Sequence, residues 1–528
     1  MPRALWLILW PAVLAGQQPA APPGPRFQQL TRPERTAYLE TSSFDDVMAF
    51  VRAADAASTR LHLTTFGYTL EGRALPLVVV GSVRDASAAA VRQSGKLRVV
   101  IQANIHAGEV EGKEAMLMLL RDLVNGRHAG WLDSLVLLIA PIYNADGNER
   151  VRLTNRPLQY GPIGGMGQRA NAQNLDLNRD HIKLESPEAR SLVGLFNRYD
   201  PAVIIDLHTT NGTVHAYHLT YAPSLHPNTD PAITALVRNQ WLPAVTRAIK
   251  QRDGWDFYSY GNLPGAGAPS DSVERAWYSF DHRPRFNNNY VGLRNRVAIL
   301  SEAYSYATFT DRIRATLRFV EELLDYARAH TPSIRDAVAR AERASVTGTD
   351  LALRAELAPS ADSVEILLGE VSEERHPYTG QRMLVRRDVR RPERMREYQT
   401  FRGTETARAP AAYYVPAELG AVVRLLEAHG VRTERLADSS SRAVERFVVD
   451  SSVQARNEFQ GHRERTVFGR WGAATVTLPA GTVVVPMNQP LARLVFTILE
   501  PRSDDGIVNW NLVDDAVTRG SYPVLRGF

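Results

Sequence analysis

The 528-residue chain contains no cysteine. That excludes disulfides, thiolate metal sites, a cysteine nucleophile and a lipidated cysteine anchor. Any metal must therefore be held by His, Asp or Glu. Lysine is nearly absent as well: Lys96, Lys113, Lys183 and Lys250 are the only four, so the positive charge is almost wholly arginine, which stays protonated and pairs carboxylates through a rigid fork. There is no large excess of either charge, with 62 basic and 57 acidic residues giving +5, and no basic arm. Nucleic acid is not implied as a partner. Long apolar runs are missing after the first fifteen residues, so no later segment is expected to span a bilayer, which needs about 20 such residues.

At the N-terminus, Met1-Pro2-Arg3 precedes an apolar run from Ala4 to Ala15 and then the Pro-rich stretch Gln17 to Pro25. This is the anatomy of a signal peptide covering residues 1–16, with cleavage near Ala15 or Gly16 and a Pro-rich segment 17–37 behind it. The expected location is the periplasm or outside the cell, with no stable membrane insertion after cleavage.

From Tyr38 to about Ala329, short β-type apolar runs alternate with amphipathic helical stretches, the pattern of an α/β domain with a mixed, mostly parallel twisted sheet flanked by helices. Helices are expected from Phe44 to Ala54 behind a Ser42 or Ser43 cap and from Gly112 to Leu123. Buried strands are expected at Ala74–Val80, Leu97–Ile105, Leu135–Ile142, Ala202–Leu207 and Val297–Ser301. This α/β unit is placed at 38–330, with a linker or helix at 331–346. A smaller β-rich domain is expected at 347–528, containing strands such as Ala474–Pro486 and Leu491–Ile498. Gly380 to Arg408 reads as a long exposed connection or lid.

Four of the buried strands end in polar residues: His106, Asn144 with Asp146, His208, and Glu302. Ligands of open α/β sheets bind outside the carboxyl ends of strands, so one crevice is a better account than four accidents. Of the 13 histidines, only His106 is followed by Glu at the third position, in His106-Ala107-Gly108-Glu109. Imidazole nitrogen and carboxylate oxygen both ligate zinc at about 2 Å. His208 is the best-placed third ligand, while His181, His215, His218 and His226 lie nearby in sequence. Two histidines and one glutamate leave a coordination position open, as in catalytic zinc sites. Glu302 is then a candidate general base; the competing reading is a buried glutamate paired to Arg294 or Arg296.

In this combination the chain resembles the zinc metallocarboxypeptidases of the carboxypeptidase A-like family, as a bacterial exported member with a C-terminal extension. The matching elements are His106-x-x-Glu109, Asn144-Ala145-Asp146-Gly147, Asp176-Leu177-Asn178-Arg179, His208 and Glu302, in the family's order over Tyr38 to Ala329. The resemblance implies one Zn2+ held by His106, Glu109 and His208, with Asp176 orienting His106. It implies that Asn178 and Arg179 grip the terminal carboxylate of a peptide substrate. Glu302 would be the base that activates a zinc-bound water. An arginine would stabilise the oxyanion, Arg169 ahead of Arg156, and a tyrosine would cover the substrate, Tyr290 ahead of Tyr278. The implied activity is removal of C-terminal residues from peptides. The alternatives are an amidase acting on cell-wall peptides or N-acyl amino acids, and a non-catalytic peptide-binding protein.

Overall fold

The computed structural model describes residues 26–528. The leader expected at 1–16 and residues 17–25 of the Pro-rich segment lie outside the described residues. The first nine strands are β1 (Leu61–Tyr68), β2 (Ala74–Val80), β3 (Leu97–Ala103), β4 (Leu135–Ala140), β5 (Val203–Thr209), β6 (Leu219–Ala222), β7 (Phe257–Ser259), β8 (Trp277–Tyr278) and β9 (Val297–Ala303). All except β8 form one eight-stranded sheet in the order β1-β2-β4-β3-β5-β9-β6-β7. Its centre is parallel, through β4-β3-β5-β9, and antiparallel pairs flank that centre at β1/β2, β2/β4 and β9/β6. β4 is buried at all six positions, because a parallel sheet covered on both faces needs continuous rather than alternating hydrophobicity.

Helices cover the sheet. The helix Phe44–Ala56 starts at Ser43, whose side chain accepts from the Asp46 amide in a capping box. It packs beside Glu111–Val124, which in turn packs on Phe309–Ala329. Gly112 lets the second of these helices sit directly on the sheet: a Cβ there would stand 2.8 Å from Leu207 Cβ and 3.3 Å from Ala103 Cβ. The helix Glu111–Val124 bears on the site because it begins two residues after Glu109, directly behind the loop carrying His106.

Beyond residue 347, β10 (Asp350–Ala358) pairs with β13 (Thr400–Arg408) in a two-stranded ribbon, while β11 (Ala361–Arg375) and β12 (Arg382–Tyr398) form a long hairpin. The segment read from sequence as an exposed connection, Gly380 to Arg408, is therefore mostly two strands. Most of its charged residues are exposed on paired backbone, whereas Glu397 is buried against Tyr258 and Ser360. β12 ends by adding in parallel to β8, with Glu397 opposite Trp277 and Tyr398 opposite Tyr278, so a strand from the first part of the chain completes a three-stranded sheet with this hairpin. A six-stranded sheet follows, built from β14 (Ala412–Val415), β15 (Glu434–Arg435), β16 (Ser440–Gln454), β17 (Arg465–Leu478), β18 (Val483–Pro486) and β19 (Leu525–Gly527). One contiguous core runs from Val47 to Val524. The run Leu491–Ile498, expected as a strand, is instead the buried helix Ala492–Leu499. A short apolar run that is buried all round carries no periodicity to separate the two. Among the described residues, no helix is long and apolar enough to cross a membrane.

Candidate metal centre and cleft

β3 ends at Asn104, whose φ of +67° turns the chain sharply; Asn tolerates this left-handed region better than most residues. Its side-chain amide then donates to the carbonyls of Ala107 and Glu109, at 3.3 and 3.4 Å, shaping the loop that presents His106 and Glu109. Gly108 is required there because the loop runs against another backbone: an added Cβ would lie 2.7 Å from the Gly167 carbonyl oxygen and 2.8 Å from Arg156 Cγ.

His208 arrives on β5, next to β3, and the three side chains converge. Each of His106, Glu109 and His208 offers a ligand atom within 4.8 Å of the others, and all three are buried. His106 Nδ1 lies 3.0 Å from Glu109 Oε1, and His208 Nδ1 lies 3.0 Å from Glu109 Oε2. On the far side of the first ring, His106 Nε2 meets Asp176 Oδ1 at 3.0 Å. A proton held there leaves the Nδ1 lone pair facing the cluster. His208 Nε2 is 2.9 Å from Asp206 Oδ2, though off the direction of a good hydrogen bond.

The electrostatics suit a cation. Burial alone would raise the Glu109 carboxyl, but His106, Arg156 and His208 outweigh it and hold the group well below the usual carboxylate range. Burial disfavours a charged His208, yet Asp206 and Glu109 draw a proton onto it and raise its pKa well above the ordinary value. Asp206 and Glu109 thus favour positive charge at the cluster, and its donor set of two imidazoles and one carboxylate fits a divalent zinc-type ion.

Glu302 sits opposite His208 in the parallel β5/β9 register, so the two side chains leave neighbouring strands about 4.8 Å apart. Enclosure pushes its carboxyl up to about 8, assisted by the negative charge of Glu109. Among the described residues no arginine neutralises it by contact: Arg294 is bound to Tyr290, His429 and Asn197, and Arg296 to Asp200 and Glu342.

Asp176, besides holding His106, accepts from the Asn178 amide at 2.9 Å and from Arg169 Nε at 2.9 Å. Asn178 Oδ1 is occupied by the Asn287 amide at 2.8 Å, while Arg179 stacks over Phe286 with Cζ 3.8 Å from the ring centroid. That stacking fixes the guanidinium plane; Nη1 donates to the Asn178 carbonyl at 2.8 Å, while Nε and Nη2 have no hydrogen-bond partner among the described residues. Arg156 is tied down by Glu109 Oε1, Gln159 and the Thr209 carbonyl. Arg169 is 42% exposed, and its Nη1 stands 3.6 Å from Glu109, outside hydrogen-bond range.

His106, Glu109, Arg156, Arg169, Asn178, Arg179, His208 and Glu302 all line one cleft of about 1340 Å³. Tyr290 does not. It is fully buried, its hydroxyl lies 2.8 Å from His429 Nδ1, and it accepts from Arg294 at 3.0 Å; its helix Asn287–Leu293 turns it into the core. Tyr278, the second choice, stacks on Tyr398 outside the cleft. The tyrosines that do line it are Tyr260 and Tyr306. Tyr260 directly precedes the loop Gly261–Asp271, whose outer half also lines the cleft, and that adjacency was the available signal in the sequence. Asn144 and Asp146 also stay out: Asn144 caps the turn after β4, and Asp146 binds Thr69, Glu71 and Arg73. His181, His215, His218 and His226 lie outside the cluster; burial pushes His215 down to about 3. A contribution that sequence reasoning missed comes from beyond residue 347: Arg354, Ala355, Glu356, Leu357, Phe401 and Asp504 form part of the cleft wall.

Residues 47–280 match the zinc carboxypeptidase family profile (peptidase M14). The chain is 25% identical over 472 residues to "Carboxypeptidase 2" of Trichophyton tonsurans, covering 86% of this chain and 81% of that protein. It is likewise 25% identical over 475 residues to "Carboxypeptidase 2" of Trichophyton rubrum, with the same coverage. Both matches extend well beyond the span of the family profile. Among solved structures, a metallo-carboxypeptidase from Burkholderia cenocepacia aligns at 17% identity and a TM-score of 0.40, covering 56% of this chain and 71% of that one.

Proposed function

This chain belongs to the zinc carboxypeptidase family and is a peptide hydrolase, and from that premise we propose that it removes C-terminal residues from peptides with zinc held by His106, Glu109 and His208. The observation that carries the reading is the convergence of a His–Glu–His cluster, an unneutralised glutamate and a stacked arginine in one cleft. Zinc, when bound, supplies a Lewis acid that polarises a carbonyl and increases the acidity of water.

The chain's own residues do the rest. Arg179 receives the substrate's terminal carboxylate in a charge-assisted fork, with the Asn178 amide nitrogen beside it. This makes the enzyme an exopeptidase, since an internal peptide bond offers no carboxylate there. Glu302 accepts the proton of the attacking water and returns it to the leaving amine; a carboxyl whose proton affinity is raised by enclosure is suited to both transfers. Arg169, whose Nη1 is uncommitted, donates to the developing oxyanion, while the more tightly bonded Arg156 holds Glu109 in place. Asp176 keeps the His106 tautomer that leaves Nδ1 free. The leader-like N-terminus supports action outside the cytoplasm.

The test is mass spectrometry of a mixed peptide library after incubation with the zinc-loaded protein, run beside Glu302→Gln. Stepwise loss of C-terminal residues, reduced roughly 100-fold or more in the variant, is expected. Peptides left intact by a protein with stoichiometric zinc would overturn the reading, and release from cell-wall peptides alone would replace it with the amidase.

A further inference from the structure

The cleft wall formed by β10 has a geometry that the hydrolytic site does not explain. Side chains of a strand alternate between its two faces. A strand lying face-on to a cavity therefore lines it with every second residue. Here Arg354, Ala355, Glu356 and Leu357 all line the same cleft as His106 and Glu302, and although the pairing register with β13 shifts on either side of Arg354, the regularly paired Ala355, Glu356 and Leu357 are still three in succession. β10 must present its edge.

That edge has no strand partner. Among the described residues, β10 pairs with β13 alone, in a two-stranded sheet. Just upstream, the outer edge is already satisfied by substitutes for a strand. The Ala352 amide donates to Asn228 Oδ1 at 2.8 Å, its carbonyl accepts from Asn228 Nδ2 at 2.8 Å, and the Leu353 carbonyl accepts from the Asp504 amide at 3.2 Å. From Arg354 to Leu357, no backbone hydrogen bond is made apart from those exchanged with β13. Open strand edges are avoided on protein surfaces because they recruit other chains. One enclosed in a cleft is shielded from that and remains available to a bound peptide.

We propose that the edge of β10 at Arg354–Leu357 binds the extended segment of the peptide substrate upstream of the scissile bond, as an added β-strand. This rests on the carboxypeptidase reading and deepens it. The occupant follows from continuity: a peptide whose terminal carboxylate reaches Arg179 extends away from that residue through the cleft that β10 also borders. Recognition is through the main chain. The two charged side chains on this stretch are engaged within the ribbon, Glu356 with Arg402 at 2.6 Å and Arg354 near Glu405 at 3.7 Å, so the edge offers amides and carbonyls rather than a charge code. Main-chain pairing of this kind gives affinity with tolerance of sequence.

The experiment uses the full zinc-loaded protein and a seven-residue substrate in which the amides two to five residues upstream of the scissile bond are replaced one at a time by esters. Each replacement removes an N–H donor without adding bulk. Because an added strand bonds through alternate residues, kcat/KM is expected to fall roughly three- to tenfold at every second position and to change less than about twofold at the others. Shortening the substrate to a blocked dipeptide should raise KM. A profile without alternation, combined with rates independent of length, would overturn the edge-binding proposal while leaving the carboxypeptidase intact. No release from any substrate would overturn both, and the two failures are distinguished by whether the unmodified heptapeptide loses its C-terminal residue.

Discussion

Replacing Gly108 by alanine probes the link between loop packing and metal binding. The added methyl would stand 2.7 Å from the Gly167 carbonyl oxygen, against about 3.4 Å for an ordinary contact, leaving some 0.7 Å to be found. Gly167 cannot retreat, since a Cβ on it would itself meet the Gly147 and Ala107 carbonyl oxygens at 2.6 and 2.8 Å, so these backbones are already in contact. The displacement therefore falls on the His106–Glu109 loop. Overpacking of this kind costs about 1–3 kcal/mol in stability. The effect on metal should be larger in relative terms, because ligand positions tolerate only about ±0.2 Å and disturbing the supports of ligands typically lowers affinity about 10- to 100-fold. Competition with a chelator of known affinity measures the zinc constant, and denaturant titration of the metal-free protein measures stability. A Gly108→Ala protein that binds zinc as tightly as wild type would refute the argument that this backbone contact positions the ligands.

Arg312 is fully buried and donates to the carbonyls of Tyr160, Gly161, Ser305 and Ala307 beside the Glu111 carboxylate; Arg312→Met should cost about 3–5 kcal/mol in denaturant unfolding, and a loss under about 1 kcal/mol would contradict a bridging role. His462 and Glu185 lie 2.7 Å apart and dock the β16/β17 turn onto the catalytic part. Glu185 is lowered to about 2, burial opposing and His462 and Lys183 prevailing, so its contribution is present above about 4.5 and lost as pH falls; His462 is raised, chiefly by Glu185, so its contribution is full below about 6.5 and lost as pH rises through the raised value. The stability difference between wild type and His462→Ala should thus be largest near pH 5–6 and shrink by pH 9, and a pH-independent difference in denaturant midpoint would refute the pairing.

The sheet was legible because parallel strands covered on both faces must be apolar along their whole length. Each such run breaks where the strand reaches the ligand crevice. This is why His106, His208 and Glu302 could be picked out together. β5 and β9 overran their expected ends, so His208 and Glu302 lie within them rather than after them, while β3 and β4 stopped two residues short of theirs. Tyr290 was misplaced because its position before Glu302 in the chain says nothing about the face of its seven-residue helix that meets the core. The choice between Arg156 and Arg169 turns on which guanidinium nitrogens are already bonded, a matter of three-dimensional partners. The β10 wall was invisible for a related reason: its pairing with β13 spans a long hairpin, and non-local pairing leaves no periodic trace in either strand.

The central claim is a carboxypeptidase that recognises a free terminal carboxylate through Arg179. The most direct measurement compares initial rates for one peptide as its free acid and as its C-terminal amide, on wild type and on Arg179→Gln. Rapid release from the acid by wild type is expected, with a loss of roughly 100-fold or more in kcat/KM when either the carboxylate or the guanidinium is removed. Little further loss is expected when both are removed, because they act on each other. Equal cleavage of acid and amide, or additive losses in the double comparison, would contradict it.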